Sequence, residues 1–248
     1  VNIGREYNGK QSYKYRARGG GKKLTMTNIL ALETSTDACS AALLVNGAVT
    51  QCFEIAPRRH TEIILPMIAR LLAGAELAVQ NLDAIAFGAG PGSFTGVRIA
   101  TAITQGIALA HDLPVVPLSC LALLALGGAR IHACATVVPI LDARKHEVYW
   151  AVYRVDQATQ LATCITADAI GSPRELTLPN TAHQVVVGTG ARAYCTEITG
   201  VHTDSAAPAC EPLYPCAADA LMHAVNALAS NTTVTAEMAA PIYLRRAV

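Results

Sequence analysis

Two sets of landmarks recur along this chain of 248 residues at nearly the same spacing, and nothing else in it constrains the fold as much. The stretches "NILALETST" and "SAALLVNGAVTQCF" read as a strand, a polar turn, and two strands joined at Asn46-Gly47, a pair suited to a tight type I′ hairpin. The stretch "VVPILDARKHEVYWAVYRV" repeats the beginning of that plan, so that Leu141-Asp142 echoes Leu32-Glu33, 109 residues on. In the same way "VVVGTG" at 185–190 echoes "IAFGAG" at 85–90, 100 residues on. Landmarks matching in pairs point to duplicated α/β halves, each opening with a strand, an acidic turn and a strand.

Between the landmarks, the periodicity predicts a helix over 61–74, a strand over 82–87, a helix over 95–110 and a short strand at "PVVPLS". A helix near 217–229 and the terminal "PIYLR" close the second half. This order makes mixed sheets with helices packed on them. Two strand–acidic turn–strand halves are the layout of the two-lobed actin-like ATPase fold, a duplicated mixed-sheet, ribonuclease H-like architecture. Its nucleotide lies in the cleft between the lobes. Fold alone does not give function.

The stretch "GAGPGSFTGVR" at 88–98 raises the question of phosphate binding, because a glycine-rich strand-to-helix turn presents backbone N–H groups to an anion. It lacks the Gly-Lys-Ser/Thr of a P-loop, and Thr95 stands where a dinucleotide fingerprint needs its third glycine. A tight structural turn and a phosphate cradle both remain open on spacing alone. Ser93, in Gly92-Ser93-Phe94-Thr95-Gly96, lacks the nucleophile elbow of a serine hydrolase. Asp142 and Glu147 flank a turn, where two carboxylates are ordinarily solvated rather than an acid–base pair.

On a helical wheel Ile63, Ile64, Leu65, Met67, Ile68, Leu71 and Leu72 fill an arc of about 200°, twice the stripe of about 100° that a surface helix needs. Half of that arc can serve the core, and the rest calls for a partner or for loops of this chain. The eight cysteines lie scattered without CxxC spacing, and the reading is of reduced, buried thiols. No apolar run is long enough to span a bilayer, and the expected location is the cytoplasm. Residues 1–25 carry a net charge of +6 and leave −5 for the rest. With interleaved tyrosines and no apolar periodicity, they read as a disordered or non-native leader before a start at Met26, or as a loose nucleic-acid contact.

The stretches "ILALETSTDACSAAL", "RRHTEIILPMI", "GAGPGSFTGVRIA", "LDARKHEVYWAVY" and "PIYLR" resemble the bacterial TsaB (YeaZ) family, partners in making the threonylcarbamoyladenosine modification next to the anticodon of tRNA. The likeness runs from Met26 nearly to the end. It implies lobes over 26–128 and 129–248, with the last helix packing back on the first lobe. It also implies a non-catalytic scaffold that pairs with the catalytic subunit TsaD and acts with the ATPase TsaE. It would homodimerise alone and meet tRNA only through the complex.

TsaB and TsaD are implied to meet through their first two helices. That places His60, Ile63, Ile64, Leu65, Ile68 and Leu71 on one docking helix and Thr101, Gln105 and Leu109 on the other. The resemblance implies no cofactor of the chain's own, with ATP or ADP at the partner interface near Thr34, Thr36, Ser93, Thr95 and Arg98. Two departures speak against catalysis. Where the catalytic relative holds a metal through HxxxH, this chain has His60 and then Ile64. Where the fold uses Asp-x-Gly-Thr against phosphate, it has Glu33-Thr34-Ser35-Thr36. The competing reading is an enzyme, an actin-like phosphotransferase or ATPase, or a glycoprotease-type metallopeptidase.

Overall fold

A computed structural model describes residues 11–16, 27–176, 178, 184–198 and 213–245. Strands β1 (Gln11–Arg16), β2 (Ile29–Glu33), β3 (Ala38–Val45), β4 (Ala48–Ile55), β5 (Ala84–Gly90) and β6 (Val115–Ser119) form one sheet in the order β1-β4-β3-β2-β5-β6. Strands β7 (Thr136–Arg144), β8 (Glu147–Asp156), β9 (Leu161–Gly171) and β10 (Gln184–Val187) form a second in the order β10-β7-β8-β9. The duplication is visible in the pairing. β2 runs antiparallel to β3 and parallel to β5, as β7 runs antiparallel to β8 and parallel to β10. The molecule is thus a two-lobed, mixed-sheet α/β fold of the actin-like, ribonuclease H-like kind.

The β2 run "ILALE" shows no polar alternation because both faces of its sheet are covered. Leu30 and Leu32 join a core with helices α1 (His60–Gly74) and α2 (Phe94–Ala110), whereas Ile29 and Ala31 face the other way onto α5 (Leu221–Ser230), which follows the short α4 (Thr189–Ala193) in the chain. The last long helix therefore packs on the first sheet. Asn46 and Gly47 both have positive φ, 51° and 74°, as a type I′ turn requires.

Helix α3 (Cys120–His132) lies between the sheets, with every residue from Cys120 to Ala129 buried. Leu123 packs into the first lobe, and Leu121 and Leu124 pack against the second. The expected boundary at 128/129 falls inside this helix, which both lobes share. Within the leader, Gln11–Arg16 pair with β4 from Gln11↔Phe53 to Arg16↔Ala48, a correction to the expectation of a structureless segment. The alternation of tyrosine with basic residues in "QSYKYR" suits an edge strand. The rest of the leader, Met26 included, lies outside the described residues.

After α5 the chain returns as a strap. The Gln105 amide on α2 donates to Ala239 O at 2.7 Å, and Ile242 N donates to Ala89 O at the end of β5 at 2.7 Å. Arg245 then reaches the second lobe, donating to Ala143 O at 3.1 Å and pairing with Glu147. Among the described residues no helix is long and apolar enough to cross a membrane, and the seven described cysteines are free thiols.

Candidate functional site

The two acidic turns, the glycine loop and the strap enclose a cleft of about 860 Å³ between the lobes. On the first-lobe side, the β2–β3 turn and the glycine loop interlock. Thr34 Oγ1 donates to Gly96 O at 2.7 Å, and Ser93 N donates to Ser35 O at 2.6 Å. Ser93 also caps α2, its Oγ accepting from Gly96 N at 3.4 Å.

The glycines are needed for this approach. A Cβ on Gly96 would lie 2.0 Å from Thr34 O, one on Gly92 2.6 Å from Ser35 O, and one on Gly88 1.8 Å from Glu33 Oε2. The glycines thus serve a tight structural turn packed on the β2–β3 turn, while Pro91, Gly92 and Ser93 also line the cleft.

Glu33 is fully buried. Its Oε1 accepts from Ser35 N at 2.5 Å and its Oε2 from the Cys120 thiol at 3.2 Å. Burial pushes its carboxyl above the usual 4.5, against the lowering by those hydrogen bonds. The Cys120 thiol is pushed well up by burial and by the neighbouring carboxylate. A carboxyl folded into a neutral pocket of this kind does not face the cleft as a metal ligand. Among the described residues no three His, Cys, Asp or Glu side chains gather as a ligand set. The first-lobe turn therefore does not fit a metal-bound nucleotide.

On the second-lobe side, Arg144, Lys145 and His146 turn the chain with three successive positive φ values of 63°, 55° and 61°. Asp142 accepts from Arg144 N at 2.9 Å, pairs with the Arg144 guanidinium at 3.3 Å, and donates its own backbone N–H to Thr189 Oγ1 at 3.3 Å. Glu147 is engaged by Arg245, so Asp142 and Glu147 serve separate ion pairs and form no acid–base dyad. The cleft lining carries Arg98, Arg144, Lys145 and Arg245 against Asp37 and Asp142.

Several expected site residues are placed elsewhere. His60 is buried at the start of α1, and its Nε2–H donates to Thr36 O at 2.8 Å, with Ala38 O at 3.2 Å. It tethers the helix to the β2–β3 turn and presents nothing to a partner. Ile64, Ile68 and Leu71, at 0%, 5% and 3% exposure, belong to this chain's own core, and Ile63 is partly buried against it. The docking arc drawn on α1 is corrected accordingly: of those residues only Leu65, 54% exposed, faces outward. The sheet beneath absorbs the rest.

On α2, Thr101 is buried and bonds its own helix at Val97 O, and Gln105 is held by the strap. Leu109 is 61% exposed. The outward stripe runs instead through Arg98, Ala102, Gly106, Leu109 and Ala110, one residue around from the expected face. Thr34 is spent on Gly96 O and is no anion donor, whereas Thr36, Ser93 and Arg98 do line the cleft. Thr95 is exposed in the first turn of α2, outside the lining.

Sequence reasoning missed the strap as a cleft wall, and with it Tyr243. Its ring centroid lies 6.1 Å from that of Phe94, with Arg98 stacked 3.2 Å over the Phe94 ring and 5.4 Å from the Tyr243 ring. The i,i+4 spacing of Phe94 and Arg98 was a signal for the first of these contacts. Nothing local signalled the second.

The family model described as TsaD, tRNA N6-adenosine threonylcarbamoyltransferase, matches residues 53–246. The tRNA threonylcarbamoyladenosine biosynthesis protein TsaB of Escherichia coli (strain K12) is 39% identical over 223 residues, 89% of this chain and 95% of that protein. The protein of the same description from Haemophilus influenzae is 50% identical over 123 residues, 50% of this chain and 52% of that one. Among solved structures, YeaZ from Pseudomonas aeruginosa superposes with a TM-score of 0.80 at 39% identity, over 88% of this chain and all of that one.

Proposed function

The chain belongs to the TsaB family of tRNA threonylcarbamoyladenosine biosynthesis proteins, and from that premise we propose that it is a non-catalytic scaffold for this modification. In this reading it docks the catalytic subunit TsaD, acts with the ATPase TsaE, and meets tRNA only through the assembly. The observation that carries the reading is the outward face of α2. From Ile99 to Ala110 it bears no charge, its exposed positions are Ala102, Gly106, Leu109 and Ala110, and Ile99, Ile103 and Ile107 flank them half-buried.

Small residues let a second helix approach closely, and α1 lies alongside with Leu65 exposed. The interlocked first-lobe turn supports a non-catalytic role, since Glu33 is engaged with α3 and Thr34 with the glycine loop rather than with the cleft. Any ATP or ADP then belongs to the joint surface with the partner, where Thr36 and Ser93 line the cleft.

The test uses Leu109→Asp and Leu65→Asp with TsaD of the same organism. Both side chains are exposed, so each variant should melt as the parent does, within about 0.5 kcal/mol. A carboxylate buried unpaired in the interface should weaken TsaD binding by about a hundredfold and lower reconstituted tRNA modification in parallel. Full modification by both variants would remove the docking face from these helices. Turnover of ATP by the isolated chain would overturn the non-catalytic reading.

A further inference from the structure

Arg98 is the single charge on the exposed stripe of α2, at the end nearest the cleft, and the stripe then runs uncharged for about 18 Å to Ala110. Its guanidinium lies 3.2 Å from the centroid of the Phe94 ring and 5.4 Å from that of Tyr243, side chains contributed by two different elements. Among the described residues it makes no ion pair, whereas at the second-lobe turn Arg144 pairs with Asp142 and Arg245 with Glu147. Stacking occupies a face of the planar guanidinium and leaves its N–H donors, which lie in the plane, for a bidentate acceptor. Phe94 and Tyr243 are themselves 63% and 50% exposed, so this cation sits in an apolar surround at the surface.

We propose that this aromatic-held Arg98 is the specificity anchor of the docking face and takes a carboxylate from an Asp or Glu of the partner protein. The inference rests on the docking reading above and deepens it. A partner helix seated on the Ala102–Ala110 stripe removes water from Arg98, and a cation desolvated without an anion is costly. The partner must therefore bring one negative charge to that end of the stripe. A nucleic acid fits less well, because it needs several cations along its track and the stripe offers one. The rings fix the guanidinium before docking, which lowers the entropy lost on binding.

The experiment measures TsaD affinity of the full chain and of Arg98→Ala, Arg98→Lys and Leu109→Asp at about 0.05 and 0.5 M salt. Arg98→Ala should bind about thirtyfold or more weakly and lose most of the salt dependence of the parent. Arg98→Lys should keep the salt dependence but only part of the affinity, having no planar fork. Phe94→Leu, which keeps an apolar surface but frees the guanidinium, should weaken binding less than Arg98→Ala does. Parent-like affinity and salt dependence in Arg98→Ala, with Leu109→Asp still disrupting, would overturn the anchor while leaving the docking face standing. Loss of ATP binding in Arg98→Ala with TsaD affinity intact would assign the residue to the cleft and also overturn the proposal. If the parent itself fails to bind TsaD, the docking reading falls and this inference falls with it.

Discussion

Gly96→Ala tests whether the glycine loop is a packing device. Gly96 stands in the first turn of α2, and replacing glycine by alanine inside a helix ordinarily stabilises by about 1 kcal/mol. Here the added Cβ would lie 2.0 Å from Thr34 O, a backbone atom that cannot swing aside as a side-chain tip can. Restoring a normal contact requires the β2–β3 turn and α2 to part by more than an ångström, which also lengthens the Thr34 Oγ1 to Gly96 O bond of 2.7 Å.

Overpacking of that kind costs about 1–3 kcal/mol, and the rigidity of both partners places this case at the upper end, enough to outweigh the propensity gain. For a chain of this size a net loss of about 2 kcal/mol lowers the melting temperature by about 4–8 °C. The control is Gly106→Ala on the same helix, where nothing lies within 4 Å of the new Cβ, and that variant should be stabilised by up to about 1 kcal/mol. Urea and thermal melts of both proteins, without ligand, decide the matter. If Gly96→Ala melts at or above the parent temperature, the loop is not held by this contact and the space is free for a phosphate.

Ile64→Ala, emptying a fully buried site, should cost about 2–5 kcal/mol in a urea titration, whereas a normal melt would return Ile64 to the docking surface. The chain alone should form a homodimer through the α2 stripe, and Leu109→Asp should make it monomeric by light scattering; a monomeric parent at high concentration would refute this. Arg245→Ala should speed amide exchange at Ile242 and at the 142–147 turn while changing stability by less than about 1 kcal/mol, since the pair with Glu147 is a third or more exposed on each side. Unchanged exchange would mean that the strap does not depend on this ion pair. His223 Nε2 accepts from Ala162 N at 2.9 Å, and burial holds its pKa below the ordinary 6.5. As pH falls through 6.5 the unfolded chain takes up that proton first, so the contribution is whole above this pH and is lost below it. His223→Gln should flatten the decline in stability as pH falls below the ordinary 6.5, and a parallel decline in both proteins would exclude His223 as its source.

What was legible in the sequence is what neighbouring residues decide among themselves. The strand–turn–strand repeat, the Asn46-Gly47 hairpin and the extents of α1 and α2 follow from local periodicity and from the steric cost of positive φ, both of which act within a few residues. The division of the α1 arc between core and solvent was not legible, because Ile64, Ile68 and Leu71 are equally apolar whether a sheet or a partner covers them, and only the packed sheet settles it. The exposed stripe of α2 lies one residue around from the expected face because Gln105 is claimed by Ala239, 134 residues away, a bond that no helical wheel contains. Helix α3 passed unread for a related reason: a segment buried on all sides, "CLALLALGGA", has no polar face and so no amphipathic period to detect. The glycines of "GAGPGSFTGVR" announced a close approach, but the approaching atoms at Gly88, Gly92 and Gly96 belong to Glu33, Ser35 and Thr34, well before them in the chain, and at Gly90 to Ile242, far after it. Local chemistry set the shapes of the elements. Which of their surfaces remained for a partner was decided by contacts between residues far apart in the chain, since burial depends on what finally lies opposite each side chain and not on its neighbours in sequence.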